Sequence, residues 1–256
     1  MFNQFFRNQF SKRLSIFLGL FVFTTSIVTA QFTREYASYW GGAGRDDHFG
    51  VAIDKTGNSF YVGYTETTSG FPTTSGAYQT TFGGGARDYT VTAVNESGSV
   101  LWSTYLGGSG TEERAWGITL SPDEQNLYMA CTSTSNDYPG VTGISYQSSR
   151  SGGNDAVVTK LGVNGNVVWS TYLGGSSNEL TYRVNTDGSG NVYVAGSTAS
   201  SNFPTVAAVQ SNKAGGDDGF ITKFSASGNV LWSTYVGGSS DDKVFEVVAD
   251  NTGFIY

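Results

Sequence analysis

The chain has 256 residues, a formal net charge of −7, 35 glycines, four prolines and one cysteine. The excess of acid argues against nucleic acid, whose binding rests on Lys and Arg neutralising phosphates. A single cysteine excludes an intrachain disulfide, so stability must come from a core that a chain of this length is able to bury.

The first segment reads as a targeting sequence. Arg7, Lys12 and Arg13 precede a mostly apolar run from Leu14 to Val28, and Val28-Thr29-Ala30 supplies small residues for cleavage between Ala30 and Gln31. The apolar run is shorter than the roughly 20 residues that a membrane-spanning helix needs. Residues 1–30 are therefore expected to be a signal peptide, and the mature chain is expected to be secreted, with no membrane span. Its removal takes three basic and no acidic groups, which leaves 11 basic against 21 acidic residues and a net charge of −10.

From residue 36 onward the chain repeats itself. Trp-Ser-Thr-Tyr-(Leu/Val)-Gly-Gly stands at Trp102–Gly108, Trp169–Gly175 and Trp232–Gly238, and a decayed copy runs from Tyr36 to Gly42. Successive copies begin 66, 67 and 63 residues apart. Periods of this size indicate a repeat architecture.

Each unit contains four strand-like segments, rich in β-branched and aromatic residues. The first is His48–Ile53, with counterparts at Ala115–Leu120, Thr181–Thr186 and Val244–Ala249. The second is Ser59–Tyr64, aligned with Asn126–Cys131, Asn191–Gly196 and Phe254–Tyr256. The third is Asp88–Val94, aligned with Asp155–Leu161 and Asp218–Phe224, and the fourth is the Trp-Ser-Thr-Tyr segment itself. Lys55-Thr-Gly-Asn58, Asn164-Gly-Asn166 and Gly188-Ser-Gly-Asn191 are tight-turn sequences suited to antiparallel hairpins. Large side chains alternate onto both faces of the fourth strand, which suits a sheet with a neighbour on each side. Four antiparallel strands per unit predict an all-β fold, a β-propeller of four-stranded blades.

Several columns recur in register. Phe49, Trp116, Tyr182 and Phe245 form an aromatic column on the first strand, and Tyr61, Tyr128, Tyr193 and Tyr256 a second column on the next. Phe71-Pro72, Tyr138-Pro139 and Phe203-Pro204 follow the first three of those tyrosines by ten residues, and Asp88, Asp155 and Asp218 precede Trp102, Trp169 and Trp232 by fourteen. Gly152-Gly-Asn-Asp-Ala-Val-Val-Thr-Lys-Leu161 and Phe71-Pro-Thr-Thr74 resemble the SBBP repeat, found in seven-bladed β-propellers of bacterial surface and secreted proteins. The resemblance extends over about residues 36–256. It implies a propeller with blades at approximately 43–106, 109–173 and 176–236, a partial blade at 239–256 and an orphan outer strand at 36–40. It also implies export to the cell surface, with further C-terminal modules in many relatives. Three full blades and two partial ones leave a ring open, so the chain is expected to be an N-terminal fragment of a longer protein.

A catalytic site occupies one place, so residues that recur in every blade are read as architectural. This applies to Asp88, Asp155 and Asp218, and to an acidic column of Asp46, Glu113, Glu179 and Asp242 after the Gly-Gly pairs, read as turn caps. Asp187-Gly-Ser-Gly-Asn191 places oxygens at alternate positions as calcium loops do, but an acidic ligand at the twelfth position is missing, so it reads as a hairpin turn. His48, the sole histidine, breaks the symmetry without a partner for zinc or nucleophilic chemistry. Cys131 aligns with Tyr64 and Gly196 and reads as a small buried side chain. The sequence thus offers no catalytic, cofactor or metal site. The function expected is that of a secreted or cell-surface scaffold for protein or glycan interaction or adhesion. The alternatives are a polysaccharide lyase or hydrolase whose site lies elsewhere in the protein, or a multivalent lectin.

Overall fold

The computed structural model describes residues 38–256 except 114, 144 and 251. The signal-peptide segment, its Ala30/Gln31 cleavage position and Tyr36 therefore lie outside the described residues. The described residues are all-β, with three four-stranded antiparallel sheets. The first sheet contains β1 (Asp46–Ile53), β2 (Ser59–Thr65), β3 (Asp88–Val94) and β4 (Val100–Leu106). The second contains β5 (Gly117–Leu120), β6 (Asn126–Ser133), β7 (Asp155–Gly162) and β8 (Val167–Leu173). The third contains β9 (Glu179–Thr186), β10 (Val192–Thr198), β11 (Asp218–Phe224) and β12 (Val230–Val236). Each is an up-and-down meander in sequence order, and the set is an open β-propeller, with no sheet closed on itself among the described residues.

Turn chemistry sets the hairpins. Gly57, Gly190, Gly98, Gly165 and Gly228 all take φ between 80° and 88° at the tight turns, a region that costs an L-residue about 1–2 kcal/mol. The Asp54 and Asp187 backbone N–H groups donate to the Asn58 and Asn191 carbonyls and close the first hairpins of sheets one and three. In sheet two the same closure runs from Ser121 to Asn126, one residue longer, with Glu124 at φ 56°.

The second sheet is buried on both faces, as the alternation of large side chains requires. Phe60, Val62, Tyr89 and Val91 of the first sheet share a core with Leu127, Met129, Val157 and Leu161 of the second. Ala130 and Val158 of the second meet Val194, Phe220 and Phe224 of the third. The opposite face of the third sheet meets Val247 through Tyr193 and Ala195. Residues 239–256 form no full strand. Val248 and Tyr256 exchange backbone hydrogen bonds of 3.1 and 2.9 Å, and Ala249 bridges Ile255, so the segment is a minimal hairpin against the third sheet. Ser38–Trp40 carry no strand either; the Trp40 indole donates to Ser103 Oγ at 3.4 Å.

Strand register corrects part of the sequence alignment. Tyr128 and Tyr193 lie in rows with Lys160 and Trp169, and with Lys223 and Trp232. In the first sheet the same row holds Phe60, Ala93 and Trp102, whereas Tyr61 pairs with Thr92 on the opposite face. The physical anchor is the hairpin: Asn58, not Ser59, accepts the closing hydrogen bond that Asn191 accepts in the third sheet. Tyr61 is thus not the counterpart of Tyr128 and Tyr193. By the same register, Gly63 rather than Tyr64 corresponds to Cys131 and Gly196.

Candidate functional site

The recurring residues are occupied in holding blades together. Three of the four Gly-Gly turns are clamped from two sides, and Gly41-Gly42 from one. The first glycine N–H donates at 3.0 Å to a glutamine Oε1, from Gly107 to Gln79, Gly174 to Gln147 and Gly237 to Gln210. The same glutamines donate to Asp88, Asp155 and Asp218, and the latter two aspartates accept from the backbone N–H groups of Ser151 and Gly152, and of Ala214 and Gly215. The second glycine N–H donates to an acid of the next blade: Asp46, Glu112, Glu179 or Asp242. The acid in this column is therefore Glu112, not Glu113. A Cβ on Gly107 or Gly174 would stand 2.3 Å from Asp88 Oδ1 or 2.5 Å from Glu179 Oε2, which is why these positions are glycine. Burial pushes Asp88 up to about 6, and Glu112 and Glu179 up to about 7. These are buried structural acids.

The Gln column is absent from the sequence reading. Its signal is present: glutamine stands nine, eight and eight residues before Asp88, Asp155 and Asp218.

The tryptophans join neighbouring blades. Trp102 Nε1 donates to the Val163 carbonyl at 2.7 Å, and Trp169 Nε1 to the Ala226 carbonyl at 3.3 Å, so each reaches the third hairpin turn of the next sheet. Trp232 packs on Tyr193 with ring centroids 6.1 Å apart. Phe71, Tyr138 and Phe203 of the aromatic-proline loops are buried. The hydroxyls of Tyr105, Tyr172 and Tyr235 bond to the loop carbonyls of Thr67, Ser135 and Ser200 at 2.6–2.8 Å. These aromatics anchor their loops and are not presented to solvent.

The remaining singletons are also accounted for. Asp187 Oδ1 accepts from the backbone N–H groups of Ser189 and Asn191, and Oδ2 from Asn191 Nδ2, Tyr193 Oη and Lys223 Nζ. Burial opposes ionisation there, but these bonds prevail and hold the carboxyl down at about 2. Its oxygens serve a hairpin. His48 lies exposed on β1, edge-on to Tyr61. Cys131 is fully buried, and burial pushes its thiol well above the ordinary range.

The first strand of the second sheet also departs from the repeat. In sheets one and three the aromatic of the first strand follows the clamp acid by three residues, Asp46 to Phe49 and Glu179 to Tyr182. In the second it follows by four, from Glu112 to Trp116. Phe49 and Tyr182 each sit at a β-bulge, where pairing jumps from His48 to Gly50 and from Thr181 to Arg183. In the second sheet the interruption is wider. Glu112 bridges Ser133, the Glu113 N–H donates to the Thr132 carbonyl, and pairing resumes at Gly117 with Ala130. Bulges re-aim side chains and commonly flank functional sites.

A cavity of about 490 Å3 opens at this interruption, lined by Arg87, Glu113, Trp116, Thr132, Leu180 and Tyr182 among others. Trp116 and Leu180 are 36% and 38% exposed. Phe49 packs tilted against Trp116 at 5.3 Å and Tyr182 against Phe245 at 4.7 Å, so the aromatic column forms two pairs, each with one ring lining the cavity. Arg87 is held by Glu66 at 3.2 Å, by Glu113 at 3.3 Å and by the face of Tyr64, 4.7 Å from the ring centroid. Its counterparts before Asp155 and Asp218 are Asn154 and Asp217, so this cation belongs to one blade only.

No curated protein matches the chain. Among solved structures, a gluconolactonase from Xanthomonas campestris is 12% identical with a TM-score of 0.35, and the match covers 79% of this chain and 50% of that one. The chain spans half the length of that structure, and a likeness of this size carries no argument about activity. The SBBP family model, described as a beta-propeller repeat, matches residues 168–204, from β8 through the Phe203-Pro204 loop. The match shows one SBBP beta-propeller repeat, and the three meander sheets repeat the four-stranded architecture of an open propeller around it.

Proposed function

We propose that the chain is a secreted or cell-surface β-propeller scaffold that binds a protein or glycan partner without transforming it. Residues 1–30 act as the signal peptide, with cleavage after Ala30, and the blades at 43–106, 109–173 and 176–236 form the binding scaffold. The observation that carries this reading is the division of labour among the polar residues. The repeated acids Asp88, Asp155, Asp218, Glu112 and Glu179 are buried and bonded within the clamps. A cavity lined by Arg87, Glu113, Trp116 and Tyr182 adds aromatic side chains beside an ion-pair cluster, which is recognition chemistry.

The test has two parts. N-terminal sequencing of protein recovered from the medium is expected to begin at Gln31. Incubation with a panel of polysaccharides and host surface proteins is expected to show binding without product. Cleavage of a polysaccharide by the purified chain would overturn the non-catalytic reading.

A further inference from the structure

The first hairpin turns of the three sheets differ in one chemical detail. In the third sheet Asp187 Oδ2 accepts from Asn191 Nδ2 at 2.8 Å, from Tyr193 Oη at 3.0 Å and from Lys223 Nζ at 3.2 Å. Strand register and turn closure give each of these donors a counterpart in the second sheet: Asn126, Tyr128 and Lys160. The residue that closes the turn there is Ser121, whose N–H donates to the Asn126 carbonyl as that of Asp187 does to Asn191. Ser121 Oγ also accepts the Asn126 N–H, in the place of Asp187 Oδ1. A serine has no second oxygen, and the Ser121 hydroxyl proton goes to Asp123. In the first sheet the situation is reversed: Asp54 closes the turn, while the row that holds tyrosine and lysine elsewhere holds Phe60 and Ala93. Of the three sheets, the second alone has the donors without the carboxylate.

Asn126, Tyr128 and Lys160 line one cavity of about 260 Å3 at the junction with the third sheet, bordered by Asp123 and by the Gly188–Gly190 turn. Tyr128 is 1% exposed, and its hydroxyl has no hydrogen-bond partner among the described residues. Burial, and then the charge of Asp123, push it up to about 12, so it stays a proton donor. Lys160 lies over the Tyr128 ring, 5.5 Å from the centroid, and uses one N–H on the Ala226 carbonyl at 3.2 Å. It forms no ion pair with a carboxylate among the described residues. Asp123 is not the acceptor these donors need. Its Oδ1 takes the Ser121 hydroxyl and the Gln125 N–H within its own turn, and no hydrogen bond or ion pair joins it to Tyr128 or Lys160. A buried donor without an acceptor is costly, and an ammonium beside it favours an anionic acceptor over a neutral one.

We infer that this cavity binds the carboxylate of a small organic acid: one carboxylate oxygen takes the place that Asp187 Oδ2 fills in the third sheet and accepts from Tyr128 Oη, Lys160 Nζ and Asn126 Nδ2. Asp123 at the rim repels an anion, so three donors act against one like charge. The scaffold reading makes no use of this cavity, and the two stand or fall separately.

Thermal unfolding and calorimetric titration of the chain in carboxylate-free buffer test it, with sodium acetate, succinate and glucuronate as probes. Sodium sulfate and phosphate at matched ionic strength are the comparisons. At least one carboxylate is expected to bind at 1:1 stoichiometry and to raise Tm, and neither sulfate nor phosphate to bind as tightly. Lys160→Met, which keeps an apolar stem over Tyr128, is expected to weaken binding about tenfold or more, and Tyr128→Phe about threefold or more. Asp123→Asn removes the like charge and is expected to tighten binding, a gain that a folding defect cannot produce. Ser121→Asp supplies the carboxylate from the chain itself and is expected to abolish binding and to raise Tm without ligand. Failure of all three carboxylates to bind, tighter binding of sulfate or phosphate, weaker binding by Asp123→Asn, or binding that Lys160→Met or Ser121→Asp leaves intact would each overturn the site.

Discussion

Replacing Glu179 with glutamine is expected to make the protein more stable in alkaline solution and no more stable in acid. Glu179 is fully buried at the junction of the second and third sheets, where it accepts from Thr198 Oγ1 at 2.6 Å and from the Gly175 N–H at 3.1 Å. Burial, and more weakly the charge of Asp155, raises its pKa from 4.5 to about 7. A carboxyl with a higher pKa in the folded chain holds its proton more tightly there than in the unfolded chain. Its contribution to stability is complete below about pH 4.5 and is lost as the pH climbs through about 7. At roughly 1.4 kcal/mol per pH step, the loss reaches about 3 kcal/mol once the group is ionised in both states. Glutamine keeps the shape and one acceptor oxygen and has no charge to bury. Urea unfolding followed by tryptophan fluorescence at pH 5, 7 and 9 reads the difference between variant and parent. That difference is expected to move in favour of the variant by about 2–3 kcal/mol between pH 5 and 9. Glu112→Gln is expected to behave in the same way at the preceding junction, with additive effects because the two sites share no partner. A difference that stays constant with pH, or that favours the parent more at pH 9, would refute the assignment of buried, protonated clamps.

The remaining predictions concern packing. Tyr172→Phe removes a hydroxyl that donates to the Ser135 carbonyl at 2.6 Å and accepts from the Tyr138 N–H at 3.2 Å. Leaving both buried groups unpaired is expected to cost about 1–3 kcal/mol in urea unfolding, whereas Tyr146→Phe, at a side chain 40% exposed, is expected to stay within about 0.5 kcal/mol. Gly165→Ala places a Cβ 2.9 Å from the Trp102 ring at φ 86°, and Gly190→Ala places one at φ 80° with its nearest neighbour 3.9 Å away. The second is expected to cost only the left-handed backbone penalty of about 1 kcal/mol, the first measurably more, and equal melting temperatures would refute the indole-turn contact. Cys131 is expected to react with a thiol reagent no faster than the chain unfolds globally; fast labelling of the native protein would contradict its burial on β6.

Fold was legible because it rests on turn residues and on the alternation of large side chains, both of which are local. Gly57, Gly165 and Gly190 mark turns in the sequence and sit at turns in the structure. Register was less legible, and the two misaligned columns show why. Ser59-Phe-Tyr61 and Asn126-Leu-Tyr128 look alike when tyrosine is matched to tyrosine, but the closing hydrogen bond at Asn58 makes Phe60 the residue facing Trp102. An aromatic ring of either kind fills that place, so residue identity is a poor guide and backbone closure a good one. The Gln79, Gln147 and Gln210 column was missed for a related reason. Its role depends on a hydrogen bond to a glycine N–H 27 or 28 residues away, which no local pattern announces.

The misplacement of Glu113 had a further consequence, because it concealed the irregular strand beside the cavity. Matching Glu113 to Glu179 by way of the aromatic column made the second blade appear regular. Counting instead from the Gly-Gly pair places every clamp acid four residues after the second glycine, at Asp46, Glu112, Glu179 and Asp242. The extra residue then falls between Glu112 and Trp116, at the place where the sheet comes unpaired and the cavity opens. A repeat protein under one packing rule has little freedom to build a site from its repeated positions, since each of those side chains is needed at a junction. An insertion escapes that constraint. It adds a residue that the clamps do not use and leaves Glu113 to hold Arg87. The departures from the period, rather than the period itself, are therefore where binding chemistry is to be sought in this chain.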